Sequence, residues 1–182
     1  MPDDLELPPP VFIGFFPKHV VLSAETIKAP GVEYICSVSN CISQAPDGWI
    51  DRWLHNELGF YNDETTARSI IGAADGFELF AYTTYPIEWN EDGGFDSWDP
   101  KPAPGVVPGD YELLGYDAVS KSFSSDFECS PLSCNAGFDD FKVNEHCLFP
   151  DLATAREAMP RIASGNYEPG TYYLIGVYRK RS

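Results

Sequence analysis

The segment TYYLIGVYRK, residues 171–180, decides the fold class, because apolar side chains occupy both of its alternating faces. A strand that is apolar on both faces is buried on both sides, so this segment is predicted to lie inside a β-sheet and not at its edge. The segment VFIGFF, residues 11–16, has the same character and is predicted to be a second buried, central strand. Two further strands are predicted at residues 77–86 and at residues 111–120.

Helices are predicted between these strands. The segment PDGWIDRWLHNELGF, residues 46–60, is predicted to form a helix over 47–59, with a capping aspartate before a broad apolar face and a glycine at its end. A second, short helix is predicted to follow Asn62 or Asp63. A third is predicted behind Asp151, with Pro160 kinking or shortening its last turn.

The irregular order of strands and helices lacks the βαβ alternation of a doubly wound fold. It favours a single α+β domain over residues 1–182, with a mainly antiparallel or mixed sheet covered by two or three helices. A crossover from the strand at 111–120 to the last strand is the arrangement that would make the sheet mixed. Residues 1–10 are predicted to be a flexible N-terminal segment. Residues 86–110 contain five prolines and four glycines and are predicted to form a long acidic loop.

The net charge of −16 excludes two classes of partner. Nucleic acids and anionic membranes both require clustered lysine and arginine, which this chain does not supply. Because the N-terminus is acidic and no apolar run approaches the roughly 18 residues of a membrane span, a soluble, cytoplasmic protein is expected. The sequence does not indicate an oligomeric state.

The acidity is concentrated, since 13 of the 28 acidic residues lie between residues 47 and 110, against three basic ones. Within EWNEDGGFDSWD, residues 88–99, acids alternate with large aromatic residues, which favours binding to a basic protein through charge steering and aromatic anchors. The alternative is that the rings fold back onto the domain and the acids only keep it soluble. The predicted contact residues are Glu88, Trp89, Glu91, Asp92, Asp96, Trp98 and Asp99.

In composition alone, the chain resembles small acidic inhibitors of basic enzymes, including immunity proteins that neutralise nuclease toxins. That resemblance implies a non-enzymatic binding protein, and no motif accompanies it. The Walker loop, the Rossmann fingerprint, the HExxH motif and the GxSxG elbow are all absent from the sequence. Whether the protein is an enzyme is therefore left open by its motifs.

The five cysteines include two similar pairs, each with the pattern C-S-x-x-x-C. The default interpretation is reduced thiols packed in the core, because free cysteine is among the most buried residue types. The alternative is a zinc site, although zinc ligands usually stand two to four residues apart and these pairs lie at the loose end of that range. The metal ligands would then be Cys36, Cys41, Cys129 and Cys134.

A third interpretation is a small enzyme with a nucleophilic thiol. Catalytic cysteine needs a base that promotes the thiolate, and His146 is the best placed of the three histidines. Neighbours along a strand point to opposite faces, so its partner would be Cys129 or Cys134 and not the adjacent Cys147. The hypothetical catalytic set is therefore Cys129, Cys134 and His146, with Asn135 or Asp117 orienting the imidazole.

Overall fold

The structure, a computed structural model, describes residues 7–49, 54–72, 76–121, 129–134, 139–165 and 167–182. Most of the predicted flexible segment 1–10 therefore lies outside the described residues. The strands are β1 (Val11–His19), β2 (Val21–Leu22), β3 (Tyr34–Ile35), β4 (Phe77–Trp89), β5 (Phe95–Ser97), β6 (Tyr111–Lys121) and β7 (Thr171–Lys180). The α-helices are α1 (Glu64–Ile71), α2 (Pro131–Cys134) and α3 (Leu152–Ala163).

The main sheet is antiparallel throughout and runs in the order β1-β4-β7-β6, with β5 paired to the end of β4. Strands β2 and β3 form a separate two-stranded sheet. The predicted α+β class is therefore confirmed. Because β6 and β7 are antiparallel neighbours, the crossover that would have made the sheet mixed does not form.

Strand β7 lies inside the sheet, as predicted, and divides the core into two layers. Tyr173, Ile175 and Val177 belong to a cluster that includes residues of α1, whereas Tyr172 and Leu174 belong to a cluster that includes residues of α3. Alternate residues of a strand point to opposite faces, so the two clusters lie on the two sides of the sheet. Both faces of the central strands are therefore buried.

The two longer helices begin where the capping residues predict. The side chain of Asp63 accepts a hydrogen bond from the Thr66 amide at 2.8 Å, and that of Asp151 accepts one from the Thr154 amide at 2.8 Å. Each carboxylate satisfies an amide that the first helical turn leaves without a partner. Pro160 lies inside α3, and the helix ends three residues later.

Strand β1 is buried but terminal, which corrects its predicted central position. Its outer side is covered by Tyr61, whose amide and carbonyl exchange hydrogen bonds of 2.8 Å with those of Phe15. Gly14, at φ +124°, permits this close approach, since a Cβ there would stand 2.5 Å from the Tyr61 carbonyl oxygen. A strand that is apolar on both faces can thus be terminal when another segment covers it.

Strand β6, at the opposite end of the sheet, is covered in the same way. Tyr116 and Phe149 exchange backbone hydrogen bonds of 3.0 and 2.8 Å. A Cβ at Gly115, where φ is +152°, would stand 2.6 Å from the Phe149 carbonyl oxygen. Each of the two outer strands therefore has a glycine beside a shift in its pairing register. Each also exchanges one reciprocal pair of backbone hydrogen bonds with the segment that covers it.

The predicted helix over 47–59 is wrong in its described parts, and residues 50–53 lie outside the described residues. Gly48 has a φ of +71°, and the Asn56 side chain accepts hydrogen bonds from the amides of Leu58 and Phe60 in a turn. The apolar residues of this segment serve a different purpose. Trp49 packs edge-on against Phe16 of β1, with ring centroids 5.1 Å apart.

Strand β4 continues three residues beyond its predicted end at Pro86. A register shift in its pairing with β7 falls between Thr84 and Glu88, so the missing amide proton of Pro86 interrupts no hydrogen bond there. The extension pairs with β5 to make a hairpin that lies largely in residues 88–99, which we call the acidic segment.

Among the described residues, none of the helices combines the length and the apolar character needed to cross a bilayer.

Candidate metal centre

Three thiols from two distant parts of the chain meet beside the C-terminal end of β6. The Sγ atoms of Cys41, Cys129 and Cys134 all lie within 4.8 Å of one another. Cys41 is exposed, Cys134 is half-buried and Cys129 is buried. We call these three residues the thiol cluster. It is open to solvent on the side of Cys41.

Strand β6 holds the segment that carries Cys129 and Cys134. The Ser120 amide donates a hydrogen bond of 2.8 Å to the Cys129 carbonyl, which makes an isolated bridge to the strand. The Cys134 amide then donates to the Ser130 carbonyl at 2.8 Å and closes the single turn of α2. This turn brings the second thiol of the C-S-x-x-x-C pattern back beside the first.

Asp117 of β6 connects both cysteine-bearing segments. One of its carboxylate oxygens accepts hydrogen bonds from the Ser37 hydroxyl at 3.0 Å and the Val38 amide at 2.8 Å. The other oxygen accepts from the Ser130 hydroxyl at 2.5 Å. Asp117 is fully buried, and this desolvation raises its pKa to about 6 even though the three hydrogen bonds favour the charged form.

Lys18 of β1 anchors the far end of the segment that carries Cys41. Its buried ammonium group donates hydrogen bonds to the Asn40 side chain and, at 3.1 Å, to the Ser43 carbonyl. The Ser43 hydroxyl donates at 2.8 Å to the His19 carbonyl. Cys41 therefore lies between two residues that are tied to β1, while Asp117 holds the start of the same segment.

Ser39 links two members of the thiol cluster. Its hydroxyl oxygen accepts a hydrogen bond from the Cys41 amide at 3.1 Å and lies 3.4 Å from the Cys134 Sγ. A hydrogen bond from the Cys129 thiol lowers the pKa of Cys134, whereas the same bond raises the pKa of Cys129. Desolvation raises the pKa of Cys41. The cluster thus favours one thiolate, at Cys134, beside two thiols.

The cluster contains three of the four predicted metal ligands. Cys36 does not belong to it, and burial raises the pKa of that thiol to about 12. The Cys147 thiol is also buried and donates a weak hydrogen bond of 3.4 Å to the Leu132 carbonyl beneath α2. Both residues pack as small apolar groups, which is the role that the default interpretation gave to all five cysteines.

His146 does not belong to the thiol cluster, which contains the two cysteines that it was predicted to serve. Its imidazole stacks on Tyr34, with ring centroids 6.3 Å apart, and its Nε2 lies 3.7 Å from a Glu145 carboxylate oxygen. Desolvation lowers its pKa. Of the two predicted orienting residues, Asp117 contacts serine hydroxyls, and Asn135 lies outside the described residues. Cys129 and Cys134 are brought together without the imidazole.

The acidic segment does not present its aromatic residues as one exposed surface. Trp89 is 1% exposed, and Trp98 packs against Tyr173 with ring centroids 4.4 Å apart. Glu88 accepts a hydrogen bond of 2.8 Å from the Tyr173 hydroxyl. Phe95 is the aromatic residue of this segment that remains exposed. The acids on the surface are Glu91, Asp92, Asp96 and Asp99.

The sequence interpretation missed the polar residues that assemble the cluster. The serines of the two C-S-x-x-x-C segments were given no role in the site, yet Ser37, Ser39 and Ser130 each bind Asp117 or a cysteine. The signal was available in the repeated serine that follows the first cysteine of each pair. Lys18 gave no such signal, since its role depends on contacts 22 and 25 residues away.

In comparisons with known proteins, no family model, no curated protein and no solved structure matches this chain. The chemistry of the site therefore rests on its geometry. Three cysteine sulfurs at this separation, Cys41, Cys129 and Cys134, could bind a metal ion.

Proposed function

We propose that the protein binds a thiophilic metal ion, with Zn²⁺ as the leading candidate, through the three sulfurs of the thiol cluster. The observation that carries this proposal is that all three Sγ atoms lie within 4.8 Å of one another. Tetrahedral zinc with Zn–S bonds of about 2.3 Å holds its sulfurs about 3.8 Å apart. Side-chain rotation at the exposed Cys41 supplies the remaining adjustment without a change of the sheet.

The donor atoms favour zinc over the hard cations. Thiolate sulfur is a soft ligand that selects zinc and Cu(I), whereas magnesium and calcium require oxygen ligands. The buried hydrogen bonds of Asp117 hold the two ligand-bearing segments in place before a metal arrives, which lowers the cost of ordering the site. In the described part of the chain the group offers three ligands, and a three-ligand zinc site keeps its fourth position for water or a substrate.

The cysteines also bear on where the protein acts, because the structure contains them as thiols and not as disulfides. Cysteines persist as thiols in reducing compartments, so we propose the cytoplasm as its location. A metal site built from thiolates depends on the same reducing conditions, because oxidation removes its ligands.

Zinc titration of the purified full-length chain tests the proposal. We expect one equivalent of zinc to bind, and the single substitutions Cys41→Ser, Cys129→Ser and Cys134→Ser each to lower the affinity by more than about a hundredfold. Cys36→Ala and Cys147→Ala are matched controls, since they remove thiols outside the cluster. If zinc does not bind stoichiometrically, or if the controls weaken binding as much as the cluster variants, the proposal is wrong.

We propose as a second candidate that the acidic segment binds a basic protein. The observation that favours it is that β5 is exposed at all three residues and that the acids nearest to Phe95 in the chain, Asp92 and Asp96, are exposed as well. The contact set is then smaller than the sequence predicted, because Trp89 is buried and Trp98 packs inward. The expected signature is an association rate that falls steeply as ionic strength rises. Binding that ignores salt, or that survives neutralising Glu91, Asp92 and Asp96, would contradict it.

A further inference from the structure

We propose that a low-molecular-weight disulfide oxidises Cys41 and Cys134 to an intramolecular disulfide and thereby releases the metal. This inference rests on the proposed metal-binding function and adds the means by which the site is emptied. It makes metal occupancy depend on the thiol–disulfide balance of the surroundings.

Exposure decides which thiols react. Cys41 lies in an exposed turn and Cys134 is half-buried at the end of α2, so both can be approached from solvent. Cys129, the third member of the thiol cluster, is 6% exposed. Attack by a thiolate on a disulfide needs access to the reacting sulfur, and Cys41 therefore reacts first.

Proximity decides how the reaction ends. The Sγ atoms of Cys41 and Cys134 lie within 4.8 Å of each other. Ser39 contacts both residues, through the Cys41 amide at 3.1 Å and the Cys134 Sγ at 3.4 Å. A disulfide has an S–S bond of about 2.05 Å, so the two sulfurs must approach by less than about 3 Å, which rotation of the exposed Cys41 side chain can supply.

The two steps balance as thiol–disulfide exchange. Metal binding would hold Cys41 as a thiolate, since metal ligation requires loss of the thiol proton. That thiolate attacks a disulfide RS–SR, forms a mixed disulfide Cys41–S–SR and expels one thiolate RS⁻. The Cys134 thiolate then attacks the Cys41 sulfur, forms the Cys41–Cys134 bond and expels the second RS⁻. Two electrons pass from the protein to RS–SR, and the metal loses two of its three protein ligands. Cys129 alone does not retain it.

The remaining cysteines are protected from this chemistry. Cys36 and Cys147 are 3% and 1% exposed and lie outside the cluster. The oxidised product should therefore contain one defined disulfide and not a mixture. Reduction by a small thiol returns both ligands and restores the site.

The experiment treats the zinc-loaded full-length chain with oxidised glutathione and follows zinc release with a chromogenic chelator. We expect one zinc to be released for each oxidised glutathione consumed, with two reduced glutathione molecules formed. Peptide mapping by mass spectrometry should identify a Cys41–Cys134 disulfide. Cys41→His is the matched variant, because imidazole remains a zinc ligand but cannot form a disulfide, and its zinc release should slow at least about tenfold.

The outcomes separate the two proposals. If the untreated chain binds no zinc, the metal-binding function fails, and the disulfide map of the metal-free chain still decides the oxidation step. If zinc binds but oxidised glutathione does not release it, or if the disulfide joins any pair other than Cys41 and Cys134, this inference is overturned. Should Cys41→His bind zinc too weakly to be loaded, the disulfide map of the unmodified chain gives the answer.

Discussion

The Ser130 hydroxyl donates a hydrogen bond of 2.5 Å to the fully buried carboxylate of Asp117. The second oxygen of that carboxylate accepts from Ser37 and Val38, so a single side chain of β6 holds both cysteine-bearing segments. A buried charge is tolerated when its lone pairs are occupied in this way. A buried side chain of the main sheet, and not a surface contact, therefore holds the thiol cluster in position.

Asp117→Asn should change how stability depends on pH. The pKa of Asp117 is about 6 in the folded chain, against an ordinary value of 3.8. Between these values the folded chain holds a proton that the unfolded chain loses, so this group's contribution to the free energy of unfolding falls as pH rises from about 4 to about 6. Asparagine does not titrate, and the stability advantage of the unmodified protein over Asp117→Asn should shrink across this window by on the order of 3 kcal/mol.

Urea denaturation of both metal-free proteins at several pH values between 4 and 7 measures this difference. Other titrating groups, such as His146, are present in both proteins and cancel in the comparison. A difference that stays constant with pH would show that the carboxyl does not titrate in this range.

Ser39→Ala should weaken metal binding with little loss of stability. The hydroxyl supports the Cys41 amide and lies beside the Cys134 Sγ, and removing a group that orients metal ligands typically lowers affinity by about 10–100-fold. Ser43→Ala is the matched control, because Ser43 is a buried serine of the same segment whose hydroxyl bonds the His19 carbonyl and not a cysteine. Competition with a fluorescent chelator measures the affinity. Equal weakening by both variants would mean that Ser39 acts only through folding.

Zinc affinity should rise steeply with pH. The pKa values of Cys41 and Cys129 are raised, so both thiols carry protons near neutral pH, whereas the pKa of Cys134 is lowered. Zinc requires thiolates, and binding should therefore release about two protons, which corresponds to about a hundredfold gain in affinity per pH unit. Titrations at pH 6, 7 and 8 measure the slope. A slope below about one proton would contradict the proposed ligand set.

Gly115→Ala should destabilise the fold by at least about 2 kcal/mol, through strain at a positive φ and a clash with the covering segment. The new Cβ would stand 2.6 Å from the Phe149 carbonyl oxygen. Gly109→Ala is the matched control, since no atom lies within 4 Å of the Cβ that it adds. Thermal unfolding of both variants makes the comparison. A Gly115 variant as stable as the Gly109 variant would show that the segment around Phe149 does not need its close approach.

The sequence correctly predicted those helices and strands that depend on residues close together in the chain. The caps at Asp63 and Asp151 and the doubly apolar strand at 171–180 follow from residues within one or two turns of each other. The helix over 47–59 failed because apolar spacing also arises when a segment covers a sheet, as Trp49 does against Phe16. Helical periodicity alone does not separate these two uses of the same residues.

The cysteine-bearing segments of the candidate site could be predicted from the sequence, but the way in which they come together could not. The two C-S-x-x-x-C segments were recognisable, and three of their four cysteines form the thiol cluster. Their meeting depends on Asp117, which bonds Ser37 from 80 positions away in the chain. Sequence spacing carries no information on such a contact, so Cys36 and Cys41 were equivalent candidates until the fold distinguished them.

The coverings at the two ends of the sheet also restrict how this molecule can meet others. The outward backbone groups of Phe15 and Tyr116 are hydrogen-bonded to Tyr61 and Phe149. A strand from another molecule therefore cannot form an uninterrupted row of backbone hydrogen bonds along β1 or β6. Unprotected terminal strands are the usual route to fibrous aggregation. At these two positions, a protein that recognises the main sheet must therefore contact side chains and not the backbone.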